Sequence, residues 1–230
     1  MRDEADLDAL RRVWHSQPDG ESGHAYGEAL EELGLVTEAS EVYGLLIEEG
    51  YFLGFEDLAW LERGRGNIAR ACELLEQRLA LDEEPDDHTL HLRGVLGHWR
   101  WHFQLQPEAE QLLRDGADHF ESARSDLAHL LVATGRSNEA EEVLKKGVRL
   151  GEVQSFLPLA NLLDETGRPN EAERLYRLGF ALGDAHSAYN LFSQLLEQGR
   201  DKEAQEWVRR AAEGGDEKAI AWLAETDRPD

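Results

Sequence analysis

Apolar residues recur along the chain at helical spacing, and the C-terminal half repeats its own pattern. Leu127, Ala128 and Leu131 are matched 32 residues later by Leu159, Ala160 and Leu163, and after a further 32 by Leu191, Phe192 and Leu195. Each stretch runs into Gly-Arg and then Glu-Ala: Gly135-Arg136 with Glu139-Ala140, Gly167-Arg168 with Glu171-Ala172, Gly199-Arg200 with Glu203-Ala204. A second amphipathic stretch follows and stops at Gly151, Gly183 or Gly215. Each unit therefore reads as helix, glycine turn, helix, glycine stop. The glycines serve as left-handed caps, and Asn138, Asn170 or a neighbour is available to cap the next helix. Two helices of this length cannot bury their apolar faces alone, so the hairpins must stack on one another.

The earlier copies are more worn. Leu96-Gly97 stands where Leu127-Ala128 stands one unit later, and Pro107-Glu108-Ala109-Glu110 opens a second helix with proline at a tolerated first-turn position. Thr37-Glu38-Ala39-Ser40 opens another. Leu58-Ala59 and Ala71 fit if the turn around Gly64-Arg65-Gly66-Asn67 is two residues longer than its counterparts. The marker alanines 39, 71, 109, 140, 172 and 204 are then 32, 38, 31, 32 and 32 apart, and the long interval holds an acidic insertion, Asp82 to Asp87, read as a solvated loop. Leu7 to Trp14 reads as the second helix of a partial repeat and Ala219 to Ala224 as the first helix of another, so that half-repeats cap both ends. Pro158 lies early in a first helix and predicts a late start or a kink there. The expected architecture is all-α, one α-solenoid domain over 1–230: a capping helix 3–16, about six two-helix repeats (20–50, 51–81, 87–119, 120–151, 152–183, 184–215) and a capping helix 216–226.

Composition supports a folded helical chain, with 41% hydrophobic residues and a wealth of Leu, Ala, Glu and Arg. Forty-eight acidic residues against 24 basic ones leave a formal charge of −24. Such a field disfavours nucleic acid, whose phosphates need clustered Lys and Arg, and favours a basic partner, although acidity also serves plain solubility. The single cysteine, Cys72, has no internal disulfide partner and reads as a small packed residue. The opening residues Met1 to Asp6 are acidic, and no apolar run approaches the roughly 20 residues of a membrane span, so a cytoplasmic setting without membrane contact is expected.

The repeat resembles tetratricopeptide and Sel1-like repeats, in which a small residue of the first helix packs on an alanine early in the second. The likeness is most specific from Ala188-Tyr-Asn-Leu191 through Gly199-Arg200 and Glu203-Ala204 to Trp207 and Ala211. It implies a right-handed superhelix, a concave groove lined mainly by first helices, protein-protein interaction as the usual role, and no catalytic residues. One subclass grips the carboxylate tail of chaperones with Lys, Asn and Arg. The equivalent positions here are Glu28, Trp60, His98, His129, Asn161 and Ser193, of which Asn161 alone matches.

No sequence motif for phosphate, nucleophile or paired-cysteine chemistry stands out, and Gly64-Arg65-Gly66-Asn67 falls where a hairpin turn is required. Histidine is more informative. His88, His91, His98 and His102 fall near one face of a helix from Thr89 to His102, and the outer pair lies roughly 21 Å apart at 1.5 Å per residue, too far to share an ion. His98 and His102, one turn apart, are weak metal candidates. The bland alternative is a solvated or groove-lining pair, and groove histidines could also make binding pH-dependent. Trp60, Trp101 and Tyr189 are expected to project into the groove as anchors.

The resulting expectation is a non-enzymatic adaptor or scaffold, without cofactor, that holds a peptide or basic protein surface in an acidic, His- and Trp-bearing groove formed by Glu28, Glu31, Trp60, His98, Trp101, His129, Asn161, Asp164 and Tyr189. One alternative is an antidote that masks a basic toxin or a nucleic-acid-binding protein with carboxylates. Another is a metal-dependent hydrolase centred on His98 and His102.

Overall fold

A computed structural model describes residues 4–16, 18–104 and 109–226. Among the described residues there are fourteen α-helices and no strand. They run α1 (Glu4–Ser16), α2 (Gly20–Glu32), α3 (Val36–Glu48), α4 (Phe52–Gly64), α5 (Ile68–Leu79), α6 (Asp87–Trp99), α7 (Ala109–Gly116), α8 (Glu121–Ala133), α9 (Ser137–Leu150), α10 (Phe156–Glu165), α11 (Pro169–Ala181), α12 (Ala185–Glu197), α13 (Asp201–Glu213) and α14 (Glu217–Thr226). The chain divides into two compact units, the first ending at Leu112 and the second beginning at Leu113.

Each unit is built by the same local rule. Gly34, Gly50 and Gly66 in the first unit, and Gly135, Gly151, Gly167, Gly183, Gly199 and Gly215 in the second, all have positive φ and follow one another at intervals of 16 residues. At every one of these turns the chain reverses through the same paired bonds. At Gly135, for example, the glycine N–H donates to the Val132 carbonyl (3.0 Å) and the Arg136 N–H reaches back to Leu131 (2.7 Å). Left-handed glycine lets the last carbonyls of a helix be satisfied while the chain turns back, so helix and connection together consume half a repeat.

The turn at Gly64-Arg65-Gly66-Asn67 is a correction to the sequence reading. Gly66, not Gly64, is the left-handed residue (φ 83°), and Ala71 follows it by the same interval that separates Ala140 from Gly135, so the turn is no longer than the others. The candidate caps Asn138 and Asn170 lie inside their helices, because α9 and α11 begin at Ser137 and Pro169. Arg136 and Arg168 occupy the cap positions instead and fold along the first turn to Glu139 (2.6 Å) and Glu171 (2.8 Å). The acidic loop is also more than solvated chain. Asp86 caps α6 by accepting the Thr89 N–H (2.8 Å), and Asp82 accepts from Arg78 (2.7 Å) and the Thr89 hydroxyl (2.7 Å). Both carboxyls are consequently held below the ordinary aspartate range, Asp82 chiefly by Thr89 and Asp86 by the Thr89 backbone N–H. Pro158 behaves as its position predicts: a short 3-10 turn, Val153–Ser155, delays α10 until Phe156 and leaves the proline in the first helical turn. Pro107 and Glu108 lie outside the described residues, and α7 is seen from Ala109 onward.

Packing follows from the small residues at the crossings. Ala39, Ala71, Ala109, Ala140, Ala172 and Ala204 are all fully buried, as are Ala29, Ala59, Ala160 and Ala188 on the first helices. Consecutive helices pack against each other from α1 to α6 in the first unit and from α8 to α14 in the second, and first helices also meet within each unit, α2 with α4, and α10 with both α8 and α12. Leu, Val and aromatic side chains fill the space between these crossings. Arg124 is an exception in this apolar interior. Only 2% exposed, it donates to Glu152 (2.6 Å) and Asp118 (2.5 Å), which compensates its desolvation.

Candidate functional site

On the first helices folding leaves several large side chains partly exposed, Trp60 in the first unit and His129 in the second among them. In the first unit Trp60 on α4 is 46% exposed, yet its ring is held perpendicular to that of buried Trp99 on α6, with centroids 4.7 Å apart. The Arg63 guanidinium, on the same helix, stands 5.5 Å from both indoles and 5.9 Å from the exposed ring of Phe103. Such edge-to-face and cation-π contacts fix Trp60 in one orientation without covering it. After Trp99 the helix widens into a π-turn, Arg100–Gln104, where a continuous helix to His102 was expected. The extra residue per turn separates Trp99, which is buried, from half-buried Trp101 and exposed His102 and Phe103. His98 and His102 remain together, their rings 4.5 Å apart and tilted by 60°.

A second cluster on α2 and α4 is polar. His24 pairs through Nδ1 with Asp57 (2.8 Å) and through Nε2 with Glu28 (3.5 Å), and the Tyr43 hydroxyl donates to Glu31 (2.7 Å). Burial pushes the Asp57 carboxyl up, opposed by the His24 hydrogen bond. Burial and Glu31 together hold the Tyr43 hydroxyl far above its ordinary range. Glu28 and Glu31 thus belong to one acidic surface of α2, each partnered by a neighbour.

In the second unit His129 is exposed on α8, whereas Asn161, Asp164 and Tyr189 are half-buried. Asn161 Oδ1 accepts from the Tyr176 hydroxyl and from Asn190 Nδ2, both at 2.8 Å, so one carboxamide ties its own hairpin to the next. Asp164 accepts from Gln194 Nε2 at 2.6 Å. These side chains, with Glu165 and Glu197, line an open cleft of about 270 Å³ between α10 and α12. Tyr189 lies outside that lining. It tilts against Phe192 (centroids 5.6 Å), whose other edge meets Trp222 of α14 (4.9 Å), and the Lys218 ammonium stands 5.9 Å above the tyrosine. Of the expected residues the structure therefore groups Asn161 with Asp164, and Glu28 with Glu31, and sets His129 and Tyr189 apart from the cleft.

Tyr176, Asn190, Gln194 and Glu197 were missed by sequence reasoning. A signal existed: the bonds Asn190 to Asn161 and Gln194 to Asp164 span 29 and 30 residues, close to the 32-residue repeat that brings adjacent first helices side by side. Polar pairs at that offset are candidates for such ties.

The class of protein defined by these features is an array of stacked helical hairpins with an open first-helix face. Comparison with known proteins sharpens this. The tetratricopeptide repeat family matches residues 122–146, which cover α8 and the first part of α9. Among solved structures the chain is similar to YrrB, a tetratricopeptide protein with an unusual peptide-binding site (TM-score 0.57, 18% identity, covering 81% of this chain and 99% of that one). It is also similar to MamA (TM-score 0.55, 19% identity, 69% and 95% covered) and to the C-terminal part of a tetratricopeptide protein from Cytophaga hutchinsonii (TM-score 0.59, 14% identity, 83% and 78% covered). No curated protein matches the chain in sequence. The fold is the tetratricopeptide-repeat fold. Among the described residues no helix is long and apolar enough to cross a membrane.

Proposed function

We propose that this chain is a protein-binding scaffold that holds a peptide or a basic protein surface on its first-helix faces. The observation that carries the reading is Trp60: a large aromatic that folding neither buries nor leaves loose, since Trp99 and Arg63 fix its ring while 46% of it faces solvent. Rigid, half-exposed aromatics are the residues that anchor protein interfaces. In the first unit Glu28, Glu31, His98 and Trp101 would join it, and in the second His129, Asn161, Asp164 and Tyr189 form the corresponding surface.

Charge supports a basic partner. At the starts of α11 and α13 the cap arginines are engaged by glutamates: Arg168 with Glu141 (2.5 Å) and Glu171 (2.8 Å), Arg200 with Glu173 and Glu203 (both 2.6 Å). Those cations are internally neutralised, while the whole chain keeps a charge of −24 to attract a cationic surface. YrrB, which shares the fold, has a peptide-binding site, and this agrees with the reading. A scaffold of this kind needs no catalytic group or cofactor, and a cytoplasmic protein or peptide fits it better than nucleic acid or membrane.

The test is affinity capture from lysate at about 0.05 M and 0.5 M salt, spanning strong and weak screening, followed by reconstitution with the purified captured protein. Wild type is compared with a Trp60→Ala, Trp101→Ala, Tyr189→Ala variant whose helicity is checked by circular dichroism. A basic protein bound by wild type, released by salt and lost in the folded variant is the expected result. Equal binding by the variant would place the interface elsewhere.

A further inference from the structure

Gln194, which lines the cleft between α10 and α12, carries an acceptor that the fold leaves unpaired. Gln194 is 3% exposed, and its Nε2 donates to Asp164 (2.6 Å) and to the Pro169 carbonyl (3.2 Å). Both partners are acceptors, so the amide cannot be turned around. Its Oε1 is then buried with no donor. Leaving a buried carbonyl unpaired is destabilising, and native structures seldom keep one without a use. Around it the charge is all of one sign: Asp164, Glu165 and Glu197 line the cleft, and no lysine or arginine does. None of the three carboxylates has an ion-pair partner among the described residues. Their combined field, after burial, holds the Tyr176 hydroxyl well above its ordinary range.

We propose that this cleft receives the guanidinium of an arginine side chain presented by the bound peptide or protein. The inference rests on the protein-binding reading and names the chemistry that one part of it recognises. A guanidinium carries five N–H donors in a plane, sheds water more readily than an ammonium, and meets acceptors arranged around it rather than at one point. The cleft offers such an arrangement, lined by Gln194, whose carbonyl is unpaired, and by the carboxylates of Asp164, Glu165 and Glu197. A volume of about 270 Å³ admits the guanidinium with part of its stem. Lysine would satisfy fewer of these acceptors and would keep more of its hydration.

The probe is a nine-residue Gly/Ser peptide with one central arginine, compared with peptides carrying lysine or uncharged citrulline at that position. Binding is followed by NMR through the side-chain amide signals of Gln194, Asn161 and Asn190. The arginine peptide is expected to shift these signals saturably, the lysine peptide more weakly, and the citrulline peptide not at all. Asp164→Asn, which keeps an oxygen for Gln194, and Glu197→Gln should each weaken arginine binding about tenfold, the scale of a lost charge-assisted hydrogen bond. Glu213→Gln, an exposed carboxylate on α13 outside the cleft, removes the same charge and should change affinity less than twofold, about the scale of a screened surface charge. Unsaturable shifts spread over the acidic surface, or equal weakening by Glu213→Gln, would overturn the subsite. Trp60 and Trp101 belong to the first unit and Tyr189 is outside the cleft lining. Partner loss in their variant without arginine binding here would therefore sink this inference and leave the scaffold reading standing.

Discussion

At the scale of single residues, two glycines of neighbouring helices illustrate how context sets the sign of a substitution. A methyl group on Gly54 would meet the Tyr43 carbonyl oxygen and Leu46 Cβ at 2.8 Å and the Ile47 nitrogen at 2.9 Å, so α3 and α4 touch backbone to side chain at that point. Backbone cannot step aside cheaply, and Gly54→Ala should cost about 1–3 kcal/mol. Gly44, inside α3, has nothing within 4 Å of the same position. Gly44→Ala should stabilise by about 0.5–1 kcal/mol, since alanine loses less entropy in a helix. Urea unfolding midpoints measure both, and a shift of the same sign for the two would refute the packing argument. The marker alanines were legible in the sequence because their burial recurs with the repeat. The roles of Gln194 and Arg124 were not, since each depends on partners brought from other helices, Asp164 for the first and Glu152 for the second.

At the scale of helices, ends and pairs matter more than propensity. Asp216 is 1% exposed, caps α14 by accepting the Ala219 N–H (2.8 Å), and pairs with His186 (2.5 Å) on the preceding hairpin. Asp216→Ala should fray α14 and lose about 1–2 kcal/mol, seen as faster hydrogen exchange across residues 217–226 than in α12. Unchanged exchange there would show the cap to be dispensable. The arginine-glutamate clasps predict a pH effect. Arg136 and Arg114 hold Glu139 below its usual 4.5, Arg168 does so for Glu141 and Glu171, and Arg200 for Glu173 and Glu203. Because folding lowers these values, their contribution is present above the ordinary glutamate range and is lost as pH falls through the lower folded values. Asp57, raised by burial, acts oppositely. The urea midpoint should therefore hold near neutrality and drop below about pH 4.5; a midpoint that rises on acidification would contradict the clasps.

At the scale of the whole molecule, charge decides how partners arrive. With −24 on 230 residues, association with a cationic peptide should be steered, and its rate constant should fall about tenfold or more between roughly 0.02 M and 0.5 M salt, while the dissociation rate changes less. Stopped-flow mixing with a nine-arginine peptide measures this, and a salt-independent association rate would remove electrostatic steering from the account. Division into two compact units is also a property of this scale. The repeat is least regular just before it, where the 38-residue interval from Ala71 to Ala109 holds the acidic insertion and the π-turn after Trp99.

By itself the sequence determined the helical hairpin, its 32-residue period and the glycines that turn it, because periodicity and positive φ are dictated by residues close together in the chain. Even there, the shared length of the Gly66 turn required the backbone, since two candidate glycines stood side by side in the sequence. Tertiary structure alone decided which polar groups meet. The Asn161–Asn190 and Asp164–Gln194 bonds, the Arg168–Glu141 and Arg200–Glu173 clasps and the Trp60–Trp99 contact join residues 27 to 39 positions apart. Such contacts depend on the rotation and spacing of one hairpin against the next. The physical reason is that helix registry is local, whereas the facing of two helices is set by the packing of all the small residues between them.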